Sequence, residues 1–175
     1  MLRCLPFAHV VALESRETVC DGCMRVASET TYQKCSGCKA VYYCTVDCQR
    51  NAWVNYHRKE CKCLRKVSPK IPTDTVRLIA RIIFKLQEGE LKTFATLPDG
   101  TKRYLEDLMT HPSEIVKDSK RLEAFMSFFA VLEEYVSNLP SKTEILDIFG
   151  RVVTNTFNIM NDDYQSTGKS KLYQI

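Results

Sequence analysis

Apolar residues change their rhythm near residue 72. Beyond it they recur every three or four positions, the period of a helix. Thr73-Asp74 caps a run with Val76, Ile79, Ala80, Ile83 and Leu86 on one stripe, closed by Gly89. Residues 119–138 carry Leu122, Phe125, Met126, Phe129, Leu132 and Val136 at the same spacing, and Leu139-Pro140 ends them. Ser141-x-x-Glu144 is a capping-box signature ahead of Ile145, Ile148, Phe149, Val152 and Val153. Residues 97–100 predict a turn, and residues 102–109 a short helix before Pro112. These stripes read as core rather than as the lining of a cofactor pocket. With no strand-rich segment left to cover them, the helical part reads as a portion of a domain.

Before residue 72 the pattern is sparser. Val10-Val11-Ala12-Leu13 predicts a strand with no visible partner, as though the sequence begins inside a larger sheet. Residues 47–60 lack Gly and Pro and predict a helix, with Trp53 on the face of His57, where it would pack over a metal site. Ser68-Pro69-Lys70-Ile71-Pro72 reads as a linker, and residues 161–175 as a polar, aperiodic tail.

Those few apolar residues cannot hold the first third of the chain, but its cysteines can. Cys20-x2-Cys23, Cys35-x2-Cys38, Cys44-x3-Cys48 and His57-x3-Cys61 supply eight ligands in 42 residues. Two intervening residues let a tight turn aim both sulfurs at one tetrahedral ion, and i, i+4 spacing puts both ligands on one face of a helix. Eight ligands close two structural Zn²⁺ sites. Thiolate with imidazole in fours favours zinc over an iron–sulfur cluster, and a closed site leaves the neighbouring Glu60 no water to activate. Sequential pairing and interleaved pairing both satisfy the spacing. The interleaved form ties two non-adjacent loops around each ion, which better accounts for a segment almost without a core. Cys4 and Cys63 fall outside the pattern; Cys63 reads as a bystander and Cys4 as a buried small hydrophobe rather than a reactive thiol.

Zinc-binding thiolates must stay reduced, which favours the nucleus or cytoplasm. The hydrophobic fraction of 45% and charged fraction of 26% are those of a globular protein. No apolar run approaches the ~20 residues of a membrane helix, and residues 1–12 do not form a secretory signal. The formal charge of +4 falls to roughly +1 once two zinc–thiolate sites are included. Ten Lys and Arg against four acids between Cys20 and Lys70 leave a basic stretch. A solvated face is its commoner reading, and weak DNA contact through Arg58, Lys59, Lys62, Arg65 and Lys66 the sharper one.

The string from Cys20 to Cys61, with Tyr42-Tyr43-Cys44 and Trp53-x3-His57-x3-Cys61, resembles a MYND zinc finger. The resemblance implies interleaved pairing: Cys20, Cys23, Cys44 and Cys48 on one ion, Cys35, Cys38, His57 and Cys61 on the other. It also implies an interaction module for proline-containing peptides or the transcriptional regulators that bear them, with Trp53, Tyr56 and Gln49 forming the groove.

Glu60-Cys61-Lys62-Cys63-Leu64, Pro72 to Leu78, Phe84-Lys85-Leu86 and Arg151 to Ile159 are similar to the SMYD group. These are S-adenosylmethionine-dependent histone or protein-lysine methyltransferases and chromatin regulators. In them a MYND finger and a helical insert interrupt a SET domain. The implied fold is a small zinc-held finger followed by a mainly α-helical segment, part of an α+β SET-type fold with most of the SET sheet missing. The implied boundaries are 1–19 for a partial SET strand segment, 20–61 for the finger and 62–72 for a basic linker. Residues 73–154 form the helical insert and 155–175 a truncated SET re-entry and tail. Tyr104 and Asn155 are the positions with counterparts among donor-contacting residues. The family's glycine-containing loop and Asn-His-Ser-Cys motif have no match here, so the expectation is no catalytic residue and no methyl transfer by these residues alone.

Overall fold

The computed structural model describes residues 6–27, 32–89, 94–96, 99–159 and 172–174. Cys4 and residues 97 and 98 of the expected turn lie outside that set. Strand β1 (His9–Val11) leads into the metal-ligand loops, which carry the hairpin β2 (Gln33–Lys34) and β3 (Tyr42–Tyr43). Helix α1 (Val46–Ala52) passes through a π-helical turn, Trp53–His57, into α2 (Arg58–Val67). The expected linker is thus helical as far as Val67. Arg58 to Val67 contains no Gly or Pro, and the buried residues Cys61 and Leu64 anchor the extension.

Helix α3 (Asp74–Gln87) is the centre of the molecule. Its predicted stripe is only part of what is buried, because every residue from Val76 to Phe84 is inaccessible. Around it stand β1, α2, α5 (Ser119–Tyr135) and α6 (Lys142–Asn155). Leu132, Tyr135 and Ile145 are fully buried in the same core, and Phe125, Phe128 and Phe149 pack ring against ring with centroids 5.1–6.5 Å apart. The helical faces cover one another in part, and Met126 and Val153 of the predicted stripes stay exposed.

Two expectations need correction. Residues 102–109 are not a helix: β4 (Phe94–Thr96) pairs with β5 (Lys102–Tyr104), and a single 3₁₀ turn follows at Leu105–Asp107. The turn residues Asp99 and Gly100, with Gly100 at φ +84°, favour hairpin closure over helix propagation. A helix does form just after it, α4 (Pro112–Lys117), with Pro112 in its first turn. Nor is β1 an orphan. It pairs antiparallel with β7 (Leu172–Gln174), which in turn pairs with β6 (Phe157–Ile159), giving a three-stranded sheet in the order β1-β7-β6. No helix among the described residues is long and apolar enough to cross a membrane.

Candidate metal centres

The two CxxC turns are built alike. In the first, Met24 N–H donates to the Cys20 carbonyl at 2.9 Å with Met24 at φ +63°. In the second, Lys39 N–H donates to the Cys35 carbonyl at 2.9 Å with Lys39 at φ +57°. The residue after each second cysteine thus turns the chain back in the left-handed region, an uncommon conformation for non-glycine residues that these loops hold twice. Close approach fixes the residues within the turns. A Cβ at Gly37 would lie 2.9 Å from Cys61 Sγ, and one at Gly22 would lie 2.9 Å from the Cys48 carbonyl oxygen.

The remaining ligands come from the helices. Thr45 caps α1, its Oγ1 accepting from Cys48 N–H at 3.1 Å, which sets Cys48 in the first turn beside Cys44. His57 ends the π turn and Cys61 follows one turn later in α2. The donor atoms of Cys20, Cys23, Cys44 and Cys48 all lie within 4.8 Å of one another, as do those of Cys35, Cys38, His57 and Cys61. The first turn is thus grouped with the third pair, and the second turn with the fourth.

Separations within the groups suit a tetrahedral ion, for which a Zn–S bond of 2.3 Å implies sulfurs about 3.8 Å apart. Cys23 and Cys44 Sγ are 3.5 Å apart, Cys44 and Cys48 3.5 Å, and Cys35 and Cys61 4.0 Å. His57 presents Nε2 to Cys35 Sγ at 3.3 Å and to Cys38 Sγ at 3.6 Å. The donor set is four thiolates at one site and three with an imidazole at the other, and the cofactors that fit are two structural zinc ions. The second site is wholly buried, whereas Cys23 of the first is exposed.

Packed sulfurs share protons unequally. The hydrogen bond with Cys38 drives Cys35 down to about 3 against the opposing effect of burial. Burial, with the neighbouring thiols, pushes Cys44 up to about 12. Burial would lower His57, but its hydrogen bonds with Cys35 and Glu60 prevail and raise it to about 9.

Behind the two groups lies an ionic core that composition and periodicity do not reveal. Asp21, Glu60, Arg77 and Arg81 are each at most 1% exposed. Arg77 Nε donates to Glu60 Oε1 at 3.0 Å, and Arg81 Nη2 to Glu60 Oε2 at 2.6 Å and to Asp21 Oδ2 at 2.8 Å. Glu60 Oε2 also faces His57 Nδ1 at 3.3 Å. The same arginines reach β1, with Arg81 Nη1 donating to the His9 carbonyl at 2.7 Å and Arg77 Nη1 to that of Val11 at 3.3 Å. The sequence signal was present. Asp21 and Glu60 each adjoin a ligand, and two arginines stand four apart within the otherwise apolar run from Val76 to Phe84.

Other residues singled out in the sequence are placed as follows. Trp53 meets the His57 ring edge-on at 6.0 Å and keeps 41% of its surface exposed. Tyr56 turns inward, away from the expected groove. Its hydroxyl donates to the Asp21 carbonyl at 2.6 Å, and its ring lies 4.3 Å from the Arg81 guanidinium carbon. Arg58, Lys62, Arg65 and Lys66 are exposed along α2, while Lys59 pairs with Glu88 at 3.0 Å. Asn155 ends α6 and donates from Nδ2 to the carbonyls of Met109 and Arg151, at 2.9 and 2.8 Å. Tyr104 closes β5, its N–H donating to Asp107 Oδ2 at 2.7 Å. Cys63 is half-buried, and burial raises its thiol.

Two interleaved Cys/His groups on two knuckles and a ligand-bearing helix define a cross-braced zinc finger. Residues 19–61 match the family described as MYND finger. Similarity extends over nearly the whole chain to Histone-lysine N-methyltransferase SMYD3 of Homo sapiens, at 32% identity over 96% of this chain and 39% of that protein. Histone-lysine N-methyltransferase ASHR1 of Arabidopsis thaliana is 30% identical over 93% of this chain and 34% of its own length. N-lysine methyltransferase SMYD2-A of Danio rerio is 28% identical over 95% of this chain and 37% of its own. The chain is a MYND-finger relative of the SMYD-type methyltransferases and spans little more than a third of their length.

Proposed function

We propose that this chain serves as a zinc-held protein-interaction module within a SMYD-type lysine methyltransferase framework. Cys20, Cys23, Cys44 and Cys48 ligate one Zn²⁺, and Cys35, Cys38, His57 and Cys61 the other. Four protein ligands per ion leave no place for a water, so both ions are structural. The observation that carries the interaction reading is the surface of the π turn, where Trp53 and Val54 are 41% and 75% exposed. Metal ligands at Cys48 and His57 fix the backbone on either side, so this apolar pair loses little conformational freedom on binding. A proline-containing peptide, already extended, offers a matching low-entropy surface. Trp53 is the single tryptophan, so its fluorescence reports the site directly. Titration with such peptides should give a saturable change that Val54→Asp abolishes, and a flat titration would refute the reading.

Lysine methylation with S-adenosylmethionine is the activity proposed for the complete framework, on the strength of relatives named as histone-lysine and N-lysine methyltransferases. Residues 1–175 are assigned no transfer by themselves. Asn155, which the resemblance implies as a donor contact, commits its side-chain amide to two local carbonyls. Incubation with the methyl donor and histone should leave the histone unmodified, and detectable transfer would overturn this assignment. A second reading, non-specific DNA contact, is favoured by Arg58, Lys62, Arg65 and Lys66 lying exposed on one helix. It requires mobility shifts that weaken steeply as salt rises.

A further inference from the structure

An imidazole that binds a metal through one nitrogen is oriented by whatever holds the other. His57 turns Nε2 toward Cys35 and Cys38 Sγ, and Nδ1 toward Glu60 Oε2 at 3.3 Å. Glu60 is itself held from both sides. Its Oε1 accepts from Arg77 Nε at 3.0 Å and its Oε2 from Arg81 Nη2 at 2.6 Å. Both arginines belong to α3, one turn apart and at most 1% exposed among Leu78, Ile79, Ile82 and Ile83. Arg81 also holds both oxygens of Asp21, the residue beside ligand Cys20.

We infer that Glu60, clamped by Arg77 and Arg81, is a positioning residue for the Cys3His zinc ion, so that α3 governs retention of a metal to which it contributes no ligand. This rests on the two-zinc reading above. A buried carboxylate with two guanidiniums is a poor source of net stability but a rigid acceptor, because each of its oxygens is fixed by a separate donor. The imidazole then has one tautomer and one orientation available. Metal sites whose histidine loses such a partner release their ion about 10- to 100-fold more readily. The finger would therefore close its second site fully only when the helix beyond residue 73 is docked. The first site meets the same arginines only through the Asp21 carboxylate beside Cys20, and none of its own ligands is bonded to Glu60.

The test uses the whole chain loaded with ¹¹³Cd, whose all-sulfur and three-sulfur, one-nitrogen sites give separate resonances. Under a competing chelator, Glu60→Gln should lose the three-sulfur, one-nitrogen resonance at least about tenfold faster than wild type while the all-sulfur resonance decays at its normal rate. Arg77→Lys, which keeps charge but not the paired donors, should shift the same resonance in the same direction by less. An unchanged Cys3His decay in Glu60→Gln overturns the inference. If Glu60→Gln loses both resonances together through unfolding, Arg77→Lys decides: selective acceleration supports positioning, and equal or wild-type decay at both sites refutes it. A wild-type protein showing fewer than two resonances would instead sink the two-zinc reading on which this depends.

Discussion

Arg81 Nη2 and Glu60 Oε2 are 2.6 Å apart where neither side chain is more than 1% exposed. The two residues join α3 to the finger, and the same guanidinium reaches Asp21 in the first knuckle. Burying such a group is tolerable only because two arginines meet two carboxylates and every oxygen of the carboxylates has a donor or cation nearby. The finger and α3 consequently share one buried ionic core.

Removing one member of that set is expected to be severe. Arg81→Met leaves Asp21 without its main partner and Glu60 with one guanidinium. The expected loss is about 3–5 kcal/mol, the range for breaking a buried pair. Urea unfolding at saturating zinc measures it, and a change below about 1 kcal/mol would mean the pair is solvated.

Gly37 is a position where shape alone decides. A methyl group there would sit 2.9 Å from Cys61 Sγ, so Gly37→Ala must push a ligand of the second site away from its partners. Zinc content should fall from two ions toward one, with the all-cysteine site spared. Metal analysis of the purified variant checks this, and retention of two ions would show that the ligand has room to move.

The cap of α6 makes an electrostatic prediction. Ser141 hydroxyl and N–H donate to Glu144 Oε2 at 2.6 and 2.9 Å, and these bonds hold the Glu144 carboxyl below its ordinary 4.5. A carboxyl lowered in the folded state lends stability that is present above its unfolded value and fades as pH falls through its folded one. Carbon NMR should find the Glu144 midpoint below 4.5, and Ser141→Ala should move it up toward that value, since only the backbone N–H bond remains. A midpoint at or above 4.5 in the native chain would contradict the capping box.

Much of this was legible in the residues. The stripes beginning at Val76, Leu122 and Ile145 lie on α3, α5 and α6, because amphipathic periodicity survives packing. Ligand spacing pointed to two zinc sites but left their pairing open, since each pair fixes only its own bite. The partner of β1 was illegible for another reason. Leu172–Gln174 is three residues in a polar stretch, and pairing across more than 160 residues leaves no local trace. Arg77 and Arg81 were hidden by expectation, because charged residues on a helix ordinarily face water and these face the core.

The interleaved pairing underlies the rest, and native mass spectrometry of two double variants tests it most directly. Cys20→Ala with Cys44→Ala removes two ligands from one group and should leave one zinc bound, whereas Cys20→Ala with Cys35→Ala damages both groups and should leave none. The reverse outcome, no zinc in the first variant and one in the second, would mean that neighbouring knuckles share an ion and that the account is wrong.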